Sequence, residues 1–166
     1  LGCSLKNMNA QDTTLLVAGP MLGYIEHREA LIWLQVTDKV TDISIKYFPA
    51  GKPALAKTIH YDGILRETYN PEKIILENLD MNAAYDYEIY LNNKKQVFPY
   101  PLTFKTKDTW EFRRPAPDFS FIFGSCAYIN DPAYDRPGEP YGRDPRIFDT
   151  MAKTNADFML WIGDNT

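Results

Sequence analysis

Two residues near the end of the sequence could together hold metal ions. Cys126 follows the apolar run Phe119 to Phe123, and Asp164 follows the apolar run Phe158 to Ile162. A thiolate suits a transition metal such as iron or zinc, whereas a carboxylate also accepts a harder cation such as calcium, magnesium or manganese. If the two runs are neighbouring strands, we expect these side chains to contribute to one site for two metal ions.

The segment between the two runs predicts a helix, and this order brings the two side chains to one edge of a sheet. Asp144-Pro145 is typical of a helix start, and apolar residues recur at helical spacing over 147–152. Strand-helix-strand order predicts a parallel pair of strands joined by a right-handed crossover. The run 158–162 is apolar at every position, which indicates a strand covered on both faces. Parallel strands place their carboxyl ends at the same edge, where open α/β sheets bind ligands.

Residues 14–107 predict an all-β sandwich of the immunoglobulin or fibronectin type III kind. Short strands separated by turn residues fill this range, and Ile43, Ile45 and Tyr47 alternate with polar residues, as a half-buried strand requires. Leu79 is followed six residues later by Tyr85 at the start of a strand, which is typical of the tyrosine corner of such sandwiches. We therefore expect the phenol of Tyr85 to form a hydrogen bond with backbone upstream.

The chain is expected to contain two domains joined by a linker. Residues 1–13 form an N-terminal tether and residues 14–107 the sandwich. Residues 108–118 form a proline-broken linker, and residues 119–166 the truncated start of an α/β domain. Two parallel strands cannot cover their own faces, so we expect this last part not to fold alone into a stable core.

Several motifs in the second half of the chain resemble those of the alkaline phosphatase D family. They are Phe121-Ile-Phe-Gly-Ser-Cys126, Tyr141-Gly142, Ile147-Phe148-Asp149 and Asp157-Phe-Met-Leu-Trp-Ile-Gly-Asp164. The similarity extends from about Gly19 onward, and in this family a metallophosphoesterase domain follows an immunoglobulin- or fibronectin-like domain. The resemblance therefore implies that residues 119–166 are the first βαβ unit of an α/β metallophosphoesterase domain.

The same resemblance implies a metal-dependent hydrolase of phosphomonoesters or phosphodiesters. Cys126 would be a metal ligand where the wider class usually has Asp-x-His, and Asp164 would bridge two metals. The implied metals are iron plus calcium, with zinc, magnesium or manganese as alternatives. The family's remaining ligands lie further along, so we expect this chain to be inactive without the remainder of the phosphoesterase domain. Weaker candidates for contact with substrate or metal are Asn130, Asp131, Arg136, Arg143 and Asn165.

Composition and the first residues bear on partners and location. The net charge is -4 and the 18 basic residues are scattered, so no nucleic-acid-binding patch is expected. No apolar run approaches the roughly 20 residues that a membrane-spanning helix needs. Leu1-Gly2-Cys3-Ser4 resembles the end of a bacterial lipoprotein signal, which predicts lipidation of Cys3. We therefore expect an extracytoplasmic protein, either periplasmic, secreted or lipid-anchored, that contacts a membrane only through such an anchor.

Two other functions are compatible with the residues. The chain could be a non-catalytic β-sandwich binding module, or a thiol-dependent hydrolase with Cys126 as nucleophile. Cys126 could also be a buried small hydrophobe, as free cysteines often are. His27 and His60 have no second histidine or carboxylate at metal-ligand spacing, and we assign them no function.

Overall fold

The computed structural model describes residues 15–65, 69–131, 133–139, 141 and 146–164. The chain divides into two compact units, Leu1–Thr109 and Trp110–Thr166. The linker assigned to residues 108–118 stays a prediction, and Cys3, Arg143 and Asn165 lie outside the described residues. No helix within the described ranges is long and apolar enough to cross a membrane.

The first unit is built from eight strands and one short 3-10 helix, Pro53–Leu55. In chain order the strands are β1 Leu16–Ile25, β2 Ala30–Thr37, β3 Ile43–Pro49, β4 Lys57–His60, β5 Tyr69–Leu76, β6 Ala84–Leu91, β7 Lys94–Lys95 and β8 Thr103–Lys105. One sheet has the order β1-β2-β5, and the other has the order β4-β3-β6-β7, with β8 also paired to β6. All of these pairings are antiparallel.

The two sheets share one hydrophobic core, which confirms the predicted sandwich. In β2 every second residue from Ala30 to Val36 is buried, and in β6 every second residue from Tyr85 to Leu91 is buried. These residues join buried side chains of β3, β5 and β8 in a single cluster. The period-two alternation in the sequence is therefore the burial pattern of strands with one face on the core.

Strand β5 includes residues whose sequence shows no apolar alternation. The strand runs from Tyr69 and pairs with β2 through Pro71 and Glu72. Proline removes a backbone donor and is tolerated mainly in edge strands. β5 is such an edge, since β2 is the one strand it pairs with among the described residues.

The tyrosine corner is present as predicted. The Tyr85 hydroxyl accepts a hydrogen bond from the backbone N–H of Asp80 at 2.9 Å. The Tyr85 ring is buried and stacks on Phe104, with ring centroids 5.6 Å apart. This contact fixes the turn that leads into β6.

The second unit contains the predicted strand-helix-strand order. Strand β9 is Phe121–Gly124, helix α1 is Arg146–Lys153 and strand β10 is Phe158–Trp161. β10 pairs with β9 in parallel, with Phe158 opposite Phe121 and Trp161 opposite Gly124. The helix start predicted at 144–145 lies outside the described residues.

The prediction that the strand at 158–162 is covered on both faces is wrong for the described chain. Leu160 is 47% exposed and Met159 is 38% exposed. Indeed no described residue from 110 to 164 is buried. A two-stranded sheet with one short helix has too little material to enclose a core, and that explains the exposure.

Candidate metal centre

The candidate centre lies where β9 and β10 end side by side. The parallel pairing continues beyond the strands, because Ile162 N–H donates to the Gly124 carbonyl at 2.9 Å and Cys126 N–H donates to the Gly163 carbonyl at 3.1 Å. The last residues of both strands are therefore held in register. Cys126 and Asp164 follow directly at the same edge of the sheet.

The structure brings Cys126 and Asp164 together. The Cys126 thiol donates a hydrogen bond to Oδ2 of Asp164, with sulfur and oxygen 3.4 Å apart. Cys126 is free and exposed, so it is not the buried small hydrophobe considered as an alternative. The proton between the two groups is the one that a bound cation would replace, because a metal-ligating cysteine is a thiolate.

Both residues have left-handed backbone conformations. The φ angle is 62° at Cys126 and 47° at Asp164, and Gly163 between β10 and Asp164 has a φ of 136°. Non-glycine residues rarely adopt this region, and such strain is concentrated at functional sites. These conformations belong to the turns after β9 and β10, and from these turns the thiol and the carboxylate approach each other.

Ser125 is a component of this centre to which the sequence analysis gave no role. Its hydroxyl donates to the Gly163 carbonyl at 3.0 Å and lies 3.3 Å from the sulfur of Cys126. The Gly163 carbonyl thus accepts hydrogen bonds from two consecutive residues of the β9 end. The Gly-Ser-Cys motif shows that Ser125 directly precedes Cys126 in the sequence. It does not show whether the hydroxyl of Ser125 contacts the other strand or faces solvent.

The pair has a geometry that one cation could occupy. A sulfur and an oxygen bound to a zinc-sized cation, at about 2.3 and about 2.1 Å, lie about 3.1 to 3.6 Å apart for bond angles between a right angle and the tetrahedral angle. The observed 3.4 Å falls within this interval. However, the described residues hold no group of three or more His, Cys, Asp and Glu side chains suited to a metal. The pair accordingly fits part of a metal site.

The cavity beside Cys126 is mainly apolar and has a volume of about 500 Å³. Its walls include Met151 of α1 and Met159 and Trp161 of β10. The indole Nε1 of Trp161 is buried and has no hydrogen-bond partner among the described residues. Cys126, which is exposed, is thus one of the residues that line a mainly apolar cavity.

The weaker candidates in the loop after β9 make contacts within that loop. Asp131 Oδ1 accepts the N–H of Ala133 at 3.0 Å. The Arg136 guanidinium lies 4.1 Å from the ring centroid of Tyr141, and its Nε donates to the Glu139 carbonyl. These contacts order the loop but do not connect Asp131 or Arg136 to Cys126 or Asp164.

The two histidines lie in the first unit. His60 Nδ1 is 3.6 Å from Oδ1 of Asp42 at the surface of the sandwich, and His27 Nε2 is buried without a partner among the described residues. Neither is grouped with two further metal-binding side chains in the described ranges.

The first unit belongs to a recognised family. Residues 13–108 match a domain of unknown function, DUF7800, and the match spans more than half of the chain. The protein is therefore a member of the DUF7800 family. This match ends before β9, so it does not describe the candidate centre. No curated protein matches the chain.

Solved structures resemble the chain at low identity. A structure of PhoD has 14% identity and a TM-score of 0.52, covering 93% of this chain and 28% of that chain. The chain therefore spans under a third of the PhoD structure, and the likeness shows a shared fold. The sensor domain of the anti-sigma factor RsgI4 from Pseudobacteroides cellulosolvens has 18% identity and a TM-score of 0.45, covering 62% of this chain and 96% of that domain.

Proposed function

We propose that this chain is the N-terminal part of a metal-dependent phosphomonoesterase or phosphodiesterase in which Cys126 and Asp164 are metal ligands. The observation that carries the proposal is the approach of the thiol to the carboxylate, 3.4 Å apart where two parallel strands end. The resemblance of the surrounding motifs to the alkaline phosphatase D family supports the reaction class. The fold shared with PhoD is consistent with it.

The proposed metals are two cations, iron plus calcium, with zinc, magnesium or manganese as alternatives. When bound, such a pair would bind the oxygens of a phosphate ester and lower the pKa of a coordinated water. The thiolate of Cys126 favours the softer cation, and the carboxylate of Asp164, which has two oxygens, is suited to contact both. The hydroxyl of Ser125 holds the ends of the two strands together through the Gly163 carbonyl.

We propose that the remaining ligands come from the remainder of the phosphoesterase domain. Two protein ligands are fewer than a dinuclear site needs, and the part of the chain that the structure describes offers no cluster of three. The exposed side chains of β9 and β10 would be covered by that remainder. The 166-residue chain is accordingly expected to be inactive alone.

The proposed location is extracytoplasmic, with Cys3 as the point of lipid attachment. Along the chain, the sandwich would then lie between the lipid anchor and the catalytic domain. The phosphate ester would be an extracytoplasmic substrate. Mass spectrometry of the intact protein would detect the acyl chains on Cys3 directly.

Elemental analysis of the complete protein tests the metal site. We expect iron, zinc, calcium, magnesium and manganese together to reach about two ions per chain. Both Cys126→Ser and Asp164→Asn should lower this content at least tenfold, because each removes a charged ligand while keeping the side-chain size. Hydrolysis of p-nitrophenyl phosphate and bis(p-nitrophenyl) phosphate should fall in parallel.

Matched variants separate this proposal from the alternatives. Cys3→Ala removes the other cysteine, and Asp118→Asn removes an exposed carboxylate before β9; both should retain the metal. Inactivation by iodoacetamide but not by chelators would favour a thiol hydrolase with Cys126 as nucleophile. Metal-free, inactive protein that still contains the whole phosphoesterase domain would favour a non-catalytic sandwich module.

A further inference from the structure

A groove in the sandwich unit lies between the outer face of β6 and the segment 96–102. Its volume is about 550 Å³, which is in the usual range for small-molecule sites. Hydrogen bonds to β6 hold both ends of the segment. The N–H of Gln96 donates to the Ile89 carbonyl at 2.8 Å, and the N–H of Tyr87 donates to the Leu102 carbonyl at 3.0 Å. Prolines at 99 and 101 restrict the backbone between these two hydrogen bonds. The groove is therefore preformed.

Aromatic rings line this groove. Phe98 and Tyr100 project from the segment with ring centroids 5.7 Å apart, and Tyr100 is 49% exposed. Phe48 of β3 also lines the groove and lies directly opposite Asp86 in the sheet. Exposed ring faces carry a negative quadrupole and attract cations.

Two carboxylates also line the groove, and they differ in their partners. Glu88 binds the ammonium of Lys95, accepts a hydrogen bond from the Tyr90 hydroxyl at 2.8 Å and lies 3.8 Å from Nζ of Lys46. The hydrogen bond from Lys95 is the main cause that holds the pKa of Glu88 below its ordinary value. The carboxylate of Asp86 has no hydrogen bond or ion pair with any of the described residues. Lys95 and Lys46 compensate the charge of Glu88, so Asp86 is the carboxylate of the groove that is left without a partner, and it lies opposite Phe48.

We propose that this groove binds an organic cation, an ammonium or guanidinium group with an apolar stem. A cation would pair with Asp86 and lie against the rings of Phe48 and Tyr100. An anion would be repelled by Asp86 and would find the ammonium of Lys95 already paired with Glu88. A neutral apolar ligand would remove water from the carboxylate without replacing its hydrogen bonds. This binding function belongs to the sandwich and does not depend on the proposed metal site.

Titration of the full chain with matched probes, followed by NMR, tests this proposal. Nα-acetyl-arginine methylamide and agmatine carry the same guanidinium in a peptide-like and a free form, and Nα-acetyl-citrulline methylamide is the neutral isostere. We expect a guanidinium probe to shift the resonances of residues 86–88 and 96–102, and the citrulline probe to bind roughly tenfold more weakly. Tighter binding of agmatine, which also carries a free ammonium group, indicates a free amine ligand, and tighter binding of the peptide-like form indicates a basic protein segment.

Variants identify the groups that carry the binding. Asp86→Asn keeps the shape of the side chain and should weaken guanidinium binding roughly 5- to 20-fold. Tyr100→Leu keeps an apolar surface and should weaken it about threefold. Asp38→Asn removes an exposed carboxylate in the turn after β2 and should change nothing. The proposal is overturned by equal binding of arginine and citrulline probes, by no binding of either, by unchanged affinity in Asp86→Asn, or by preferential binding of a neutral disaccharide.

Discussion

Ser125 connects the two residues of the candidate centre through a backbone carbonyl. Its hydroxyl donates to the Gly163 carbonyl at 3.0 Å, and Gly163 directly precedes Asp164. The same hydroxyl oxygen is 3.3 Å from the sulfur of Cys126. In the proposed site Ser125 would therefore be a positioning residue, because its contacts hold the strand ends where the thiol and the carboxylate lie 3.4 Å apart, a separation that one cation could bridge.

Replacing Ser125 by alanine should weaken metal binding without removing a ligand. Loss of an outer-shell hydrogen bond typically lowers metal affinity about 10- to 100-fold. We expect the Ser125→Ala protein to bind cobalt(II) at least tenfold more weakly, measured through the thiolate-to-metal absorption band in the complete protein. The energy of that band should stay the same, since Cys126 would remain the ligand.

Ser120→Ala is the matched control for this experiment. Ser120 lies before β9, at the opposite end from Cys126, and its hydroxyl contacts Asp157 at 3.2 Å. This variant should bind cobalt(II) as the parent does. Equal affinity of all three proteins would show that Ser125 does not position the ligands, whereas an absent thiolate band in the parent would count against the metal site itself.

At the scale of elements, Tyr85 of β6 stabilises the turn that precedes this strand. Its hydroxyl accepts the N–H of Asp80 at 2.9 Å. The ring lies in the core against Phe104. The hydroxyl and the ring thus have separate roles, and a substitution can remove the first while leaving the second.

Tyr85→Phe should destabilise the sandwich by about 1 to 2 kcal/mol, because the Asp80 N–H loses its partner in a partly buried position. The stacking on Phe104 is retained, so the fold is preserved. The free energy of unfolding in urea measures the effect. Tyr100→Phe makes the same chemical change on an exposed ring and should alter that free energy by less than about 0.5 kcal/mol. Equal values for the two variants would mean that the corner contributes nothing to stability.

The elements that could be predicted from sequence are those with a regular burial pattern. In β6 burial alternates with period two. In β3 the apolar residues alternate with polar ones in the sequence, although Ser44 is also buried. The Leu79 to Tyr85 spacing indicates the corner between the preceding turn and β6. The early part of β5 could not be predicted, since Pro71 and the charged residues after it interrupt the alternation on an edge strand. The groove under segment 96–102 was also missed, because it depends on tertiary hydrogen bonds at both ends of the segment.

The sequence predicted that Cys126 and Asp164 belong to the candidate centre, but it did not predict how their side chains are arranged. Cys126 and Asp164 follow apolar strands, and parallel order places them at one edge. The left-handed conformations of both residues and the carbonyl shared by Ser125 and Cys126 depend on how the two strand ends meet. The amino-acid pattern contains no direct signal for this contact between the two strand ends.

At the scale of the whole molecule, the two units differ in what holds them together. All residues of the hydrophobic core cluster lie between Leu16 and Phe104, in the sandwich. The second unit has hydrogen-bonded strands, but Phe119, Phe121 and Phe158 form an exposed aromatic stack with centroids 5.6 to 6.2 Å apart. Burial of apolar area is the dominant favourable term in folding, so the stability of the described chain resides in the sandwich.

Amide hydrogen exchange of the 166-residue chain should therefore separate the two units. Backbone amides of β2, β3 and β6 should exchange at least about 1,000-fold more slowly than unstructured peptide, because they open only when the sandwich unfolds. Amides of β9 and β10 are also hydrogen-bonded, yet they should exchange within about 100-fold of the unstructured rate, since no buried core opposes their opening. The comparison is internally matched, as both sets are strand amides in one sample. Equal protection of β9 and β2 would mean that the second unit is stable without further covering, and it would remove the reason to expect that the rest of a phosphoesterase domain packs on those strands.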